Sequence, residues 1–164
     1  LYMKKTILLA LVTSSIFIIS SCIAYQTVSF TENEAYVQVY DSLADNKDDL
    51  FIKANDWMIT TFIKATSVIE YSDKESGTLL GKYLMAGTVK TGAYGVSVDT
   101  RVYSKIDIRV KDNKARIIIT PLTDWKYDPS GFTIYNYSKE QALLDMAALS
   151  ASLNNKLEST VADF

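Results

Sequence analysis

The groups in this chain that could do covalent or acid–base chemistry are few: one thiol, Cys22, no histidine, and a scatter of carboxylates. Without an imidazole or a second thiol, Ser-His and Cys-His nucleophile pairs and the usual zinc sites cannot be assembled. What remains is carboxylate chemistry drawn from Glu70, Asp73, Glu75, Asp99 and Asp107, a lysine-assisted serine, or an all-oxygen calcium site. Glycoside hydrolysis needs two acids at a fixed separation across a cleft. Here the acids fall in turns and on an alternating strand, where solvation accounts for them. Neither residues 73–75 nor residues 124–128 have the ligand spacing and glycine of a calcium loop. The residues therefore read as a non-enzyme with no cofactor and no metal, and a carboxylate-dependent hydrolase is the alternative.

Cys22 closes an uncharged apolar run that follows Lys4-Lys5, in the order Ile19-Ser20-Ser21-Cys22. A basic start, an apolar stretch over 7–19 and two small residues before the break fit a secretory signal cut directly before a thiol. The four residues resemble the lipobox of bacterial lipoproteins, with Ile19 where leucine is commonest. The resemblance implies that Cys22 is diacylated through its sulfur and becomes the new N-terminus. Each buried methylene of such chains contributes about 0.8 kcal/mol, so the membrane attachment would be permanent. The alternative is an uncleaved anchor, since no charge appears from Thr6 to Thr31 and roughly 20 apolar residues span a bilayer. Both readings place the domain outside the cytoplasm. Ile23-Ala24-Tyr25-Gln26 resembles neither an inner-membrane retention signal with its aspartate nor the acidic surface-export signal of Bacteroidetes lipoproteins. The expected location is the periplasmic face of the outer membrane.

Removing residues 1–21 takes away Lys4, Lys5 and no acid, so the net charge of -2 becomes -4. Nucleic-acid binding runs on clustered Lys and Arg that displace counterions, and neither this balance nor the compartment favours it. The rest of the chain is a normal size for one core. With Cys22 acylated no disulfide forms, and stability must come from packing. The expected organisation is a signal over 1–21, a lipid-anchored tether over 22–35 that could include an extra edge strand, and one domain over 36–164.

The pattern within that domain is α+β. Tyr36-Val37-Gln38-Val39-Tyr40 alternates as a first strand. Asp45-Asn46 supply capping side chains, and Asp48 and Asp49 suit a first helical turn. The spacing predicts a helix over 47–65. Leu50, Phe51, Ala54, Trp57, Met58, Thr61, Phe62 and Ala65 form its apolar stripe, and Asp49, Lys53, Asp56, Thr60 and Lys64 its polar one. Trp57 is expected to pack on a sheet. From Ser67 the period changes to two. Strands over 67–71 and 79–90 flank a turn over 73–77, and a connection with Gly92 and Gly95 leads to the clearest strand, 101–110. There Val102, Ser104, Ile106, Ile108 and Val110 make a dry face. Asp112-Asn113 is a two-residue turn, and 115–122 returns as a strand. A connection over 124–137 precedes the capping box Ser138-Lys139-Glu140-Gln141 and a helix to about Ala162, with Met146, Leu149, Leu153, Leu157 and Val161 as its stripe.

The order β-α-β-β-β-β-α, a single antiparallel sheet with two helices on one face, resembles the half-repeat of the TBP-like fold. Residues 36–126 resemble an uncharacterised family of secreted and lipoprotein domains, common in Bacteroidetes and described as a domain of unknown function with a TBP-like fold. The resemblance is carried by Leu50-Phe51-Ile52-Lys53-Ala54-Asn55-Asp56-Trp57 with Phe62, by Val68-Ile69-Glu70-Tyr71-Ser72-Asp73, by Gly77 and Gly81-Lys82, and by the strand from Ile106 to Asp112. It implies a fold and brings no catalytic residues, and a fold does not transmit function.

The functional expectation is an envelope lipoprotein, attached to the membrane through Cys22, that binds a protein or glycan partner on the sheet face away from its helices. The candidate face is Arg101, Tyr103, Lys105 and Arg109, with Arg116 on the neighbouring strand and Lys82 further along the sheet. A structural alternative packs the C-terminal helix on another copy through Leu153, Leu157 and Val161, a stripe that also reads as core.

Overall fold

The computed structural model describes residues 25–62, 68–91, 97–129 and 136–159. Cys22 lies outside them, as do Lys64, Ala65, Gly92, Gly95, Val161 and Ala162. The elements in chain order are β1 (Gln26–Val28), a 3-10 turn (Glu32–Glu34), β2 (Tyr36–Asp41), α1 (Lys47–Thr61), β3 (Ile69–Asp73), β4 (Thr78–Thr91), β5 (Ser97–Lys111), β6 (Lys114–Pro121), β7 (Trp125–Tyr127) and α2 (Lys139–Glu158). Five strands form one antiparallel sheet in the order β2-β6-β5-β4-β3. Consecutive hairpins build β3 to β6, and α1 carries the chain from β2, on the β6 edge, across to β3 at the opposite edge. This is the expected α+β arrangement.

Both helices lie on one face because that is where the sheet is apolar. Leu79, Val102, Ile106, Ile108, Ile117 and Ile119 are buried there against Leu50, Ala54 and Met58 of α1 and Met146, Leu153 and Leu157 of α2. Tyr40 on β2 donates its hydroxyl to the Ser150 carbonyl of α2 at 2.7 Å. Trp57 is buried where the helices meet, its Nε1 donating to Ser152 Oγ at 3.1 Å and its ring edge-on to Phe62.

Asn46 caps α1, accepting from the Asp49 amide at 3.0 Å. The helix is shorter than its periodicity suggests. It ends at Thr61 because Phe62 turns extended and packs against Tyr83, after a β-branched run, Ile59-Thr60-Thr61, with reduced helix preference. Lys53 is not on the polar stripe: it is 6% exposed, and its ammonium donates to Asp45 and to the carbonyls of Leu157 and Ser159. At α2, Ser138 caps by accepting from the Gln141 amide at 3.1 Å, while the Gln141 side chain donates forward to Asp145 instead of closing the box.

Part of the stretch read as a tether is folded. Gln26–Val28 pairs with Trp125–Tyr127 in a separate two-stranded sheet, not along an edge of the main one. Val28 and Trp125 are buried, and Phe30 stacks on Trp125 at 5.8 Å between centroids. The edge beside β6 is already occupied by β2, so β1 pairs instead with the short strand after Pro121.

Candidate functional site

Antiparallel register decides which side chains meet on the helix-free face. In β5 the odd residues point there, and the pairings bring Arg116 of β6 opposite Arg109 and Lys82 of β4 opposite Lys105. Tyr103 lies between Leu84 of β4 and Leu122 just beyond β6, whose amide donates to the Tyr103 carbonyl at 2.8 Å. Arg101 stands opposite Gly87, one strand position past the bulge between Leu84 and Ala86. All six residues singled out from the sequence, Lys82, Arg101, Tyr103, Lys105, Arg109 and Arg116, therefore share this face.

Across the strands the face is arranged in rows. Leu84, Tyr103 and Leu122 form an apolar row. Next to it, Lys82, Lys105 and Thr120 form a cationic one. The third row, Tyr71, Leu80, Asp107, Ile118 and Val37, is apolar around a single carboxylate, and the fourth sets Arg109 and Arg116 beside Val39. Lys111 opposite Lys114 closes the face at the Asp112-Asn113 turn, beside Asp41 of β2. Val37 is 53% exposed and Leu84 50%, and Tyr71, Val39 and Leu122 are exposed as well.

The charges on this face are locally ordered. The Lys82 ammonium sits 5.1 Å from the centre of the Tyr103 ring, within cation–π range. Arg109 grips Asp107 through both Nε and Nη2, at 3.1 and 3.2 Å. That fork raises the Arg109 pKa further and holds the charge over the sheet. Sequence reasoning missed the exposed apolar members, because in Tyr36-Val37-Gln38-Val39-Tyr40 both faces carry apolar side chains and the alternation does not say which face the helices cover. Lys111 and Lys114 were legible as the next alternating positions on either side of the turn.

Among the described residues, three of the five candidate acids are accounted for locally. Asp107 is committed to Arg109, Asp73 accepts from the Glu75 amide inside its own turn, and Glu70 is exposed at the bulge between Ile69 and Tyr71. Among the described residues no group of acids could hold a metal ion, and no helix is long and apolar enough to cross a membrane.

Residues 36–124 match the family described as a domain of unknown function (DUF4468) with TBP-like fold. The crystal structure of a TBP-like protein from Parabacteroides distasonis is similar at 15% identity, with 80% of this chain and 97% of that one covered and a TM-score of 0.51. That of a DUF4468 family protein from Bacteroides ovatus is similar at 10% identity, with 84% and 94% covered and a TM-score of 0.49. No curated protein matches the chain. The family match takes in α1, the whole main sheet from β2 to β6 and the six residues of the candidate face, and on that extent the chain belongs to the DUF4468 family of TBP-like domains.

Proposed function

We propose that this protein is a non-catalytic binding or assembly module of the cell envelope, anchored by acyl chains on Cys22 at the periplasmic face of the outer membrane. Its partner, an envelope protein or glycan, docks on the open sheet face. The observation that supports this is the row pattern. A sheet face that is merely solvated carries polar side chains at alternate positions, whereas this one exposes Val37, Val39, Tyr71, Leu84 and Leu122 between rows of cations. Tyr103 with its two leucine neighbours supplies the kind of aromatic, partly apolar anchor on which interface energy concentrates. The flanking Lys and Arg fix orientation and select against cationic partners.

The test is crosslinking in envelope preparations, comparing wild type with a chain in which Arg101, Tyr103 and Arg109 are all Ala. A crosslinked partner lost in the triple variant supports the reading, and one retained at full yield sinks it. The anchor is tested separately by labelling with an alkyne fatty acid. Label on wild type and none on Cys22→Ser is the expected result, and an unlabelled but membrane-bound wild type would make residues 6–24 a permanent anchor.

A further inference from the structure

We propose that the free edge of β2 pairs with the same edge of a second copy, through an antiparallel contact centred on Gln38 that continues the main sheet from one molecule into the other. The two edges of that sheet, β2 and β3, are built differently. β3 carries a bulge between Ile69 and Tyr71 and the charges of Glu70 and Asp73, devices that work against edge-to-edge pairing. β2 has none of them: its register with β6 is unbroken, it contains no proline, and Tyr36 to Tyr40 carry no charge. Gln38 shares the helix side of the strand with Tyr40 and is exposed, so the helices do not overhang the middle of this edge. Ladder alternation fixes which groups the edge offers. The two-residue Asp112-Asn113 turn makes Lys111 and Lys114 a hydrogen-bonded pair, so Ala115, Ile117 and Ile119 turn their amides and carbonyls toward β2. Their partners there are Tyr40, Gln38 and Tyr36. Val37 and Val39 therefore point amide and carbonyl outward, and the Gln38 side chain donates to the Val39 carbonyl at 3.1 Å, as a neighbouring strand would.

The sequence of the edge selects the occupant. Tyr36-Val37-Gln38-Val39-Tyr40 reads the same in both directions. A two-fold axis at Gln38 sets Val37 opposite Val39 of the second copy and Tyr36 opposite its Tyr40, with Gln38 facing itself, so the contact is self-complementary. The valine pairs are the ones that exchange both backbone hydrogen bonds, and β-branched and aromatic cross-strand pairs are those that stabilise a sheet. No charge is buried between the strands. A foreign strand would find the same hydrogen bonds without this symmetry. The axis runs normal to the sheet, so both open faces look the same way. For copies anchored in one leaflet, an unpaired domain is free to stand on its anchor, and a pair rests on its helices with both faces outward. The contact is small beside the roughly 1,200 Å² of a stable interface, which makes it a weak, micromolar association. It does not depend on the open face having a partner.

The experiment uses the full-length protein in a non-ionic detergent, with micelles in excess over protein. Light scattering should show the protein mass doubling as concentration rises through the micromolar range. Val39→Pro takes away an outward amide and leaves the bonds to β6 in place, and Val39→Lys sets a charge in the contact close to its own symmetry mate. Each should raise the dissociation constant about tenfold or more, the loss of two hydrogen bonds per pair or its equivalent, with the far-UV circular dichroism unchanged. Gln38 meets itself as a non-hydrogen-bonded pair, with Cα atoms about 4.5 Å apart, close enough for a disulfide. Gln38→Cys should therefore crosslink to itself under mild oxidation, and Ser72→Cys, exposed on the bulged β3 edge, should not. A wild type that stays monomeric up to about 1 mM overturns the proposal, since an association weaker than that is worth under about 4 kcal/mol. So does a dimer that neither Val39 variant weakens, or a Ser72→Cys yield equal to that of Gln38→Cys.

Discussion

Lys53 and Glu34 show how much of this fold rests on single charged side chains. Lys53 reaches under α1 to the C-terminal end of α2, where the last carbonyls have no intrahelical donor and the helix dipole is negative. Its ammonium also neutralises Asp45, tying the chain before α1 to the end of α2. Lys53→Met keeps the stem and removes the charge, leaving the partly exposed Asp45 carboxylate and the Leu157 and Ser159 carbonyls without the ammonium. The expected loss is about 3 kcal/mol in urea unfolding at unchanged slope, and a loss below about 1 kcal/mol would mean that water takes over the three acceptors. Lys53 was misplaced because residue type was weighed above position: it lies three residues after Leu50 and four before Trp57, on the core side by spacing alone. Glu34 is exposed, yet its carboxylate accepts from Lys139 Nζ at 2.6 Å and from the Thr31 amide at 2.9 Å. Those hydrogen bonds, the Lys139 one first, lower its pKa from 4.5 to about 2. A carboxyl whose folded pKa is depressed contributes stability in full above its ordinary value and loses it as pH falls through the folded one. The Glu34 contribution therefore disappears between pH 4.5 and about 2. A carboxyl carbon resonance titrating near 2 checks the shift, and Glu34→Gln should flatten that part of the acid unfolding curve.

Among the elements, the hairpins were the most legible and the small sheet the least. Two turns depend on one residue each. Gly77 has φ +66°, and a Cβ there would stand 2.4 Å from the Val110 carbonyl oxygen, on the same residue whose amide donates to the Gly77 carbonyl at 2.8 Å. Gly77→Ala thus meets both backbone strain and a hard contact, and the β3–β4 hairpin must shift away from β5. The expected cost is about 2 kcal/mol or more, read from the denaturant midpoint, and a neutral result would show that the turn has another conformation open to it. Asn113, in the β5–β6 turn, is also left-handed, at φ 61°; its amide and carbonyl bond to Asp45 and Leu43, and its side chain to the Leu43 carbonyl. Both positions were visible in the sequence because glycine and asparagine declare themselves where φ is positive. The alternation of β5 and the serine cap of α2 were visible for comparable local reasons. β1 and β7 were not, since a three-residue strand has too little periodicity to register and its pairing joins residues about a hundred positions apart. The end of α1 was lost in the same way, to the packing of Phe62 on Tyr83, a contact that no window of local sequence contains.

For the molecule as a whole, the question is how the candidate face is presented if Cys22 carries the proposed acyl chains. Four peptide units separate Cys22 from Gln26, at most about 14 Å of extended chain. Gln26 is already paired with Tyr127, so the β1–β7 sheet is held close to the lipid. The Asp112-Asn113 turn lies at the opposite end of β6, whose eight residues at about 3.4 Å each put it roughly 24 Å from Pro121. A domain standing on its short anchor therefore presents the Arg109, Lys111, Lys114 and Arg116 end of the face away from the bilayer that holds it, with the Leu84, Tyr103 and Leu122 row nearer the anchor. Because an acylated Cys22 has no free thiol, one introduced cysteine can be labelled alone. A fluorophore on Lys126→Cys, opposite Thr27, should be quenched strongly by lipids with a quencher at the headgroup, and one on Lys114→Cys several-fold less. The reverse order would mean that the domain lies down with its sheet against the membrane. The partner on the open face would then be the bilayer itself.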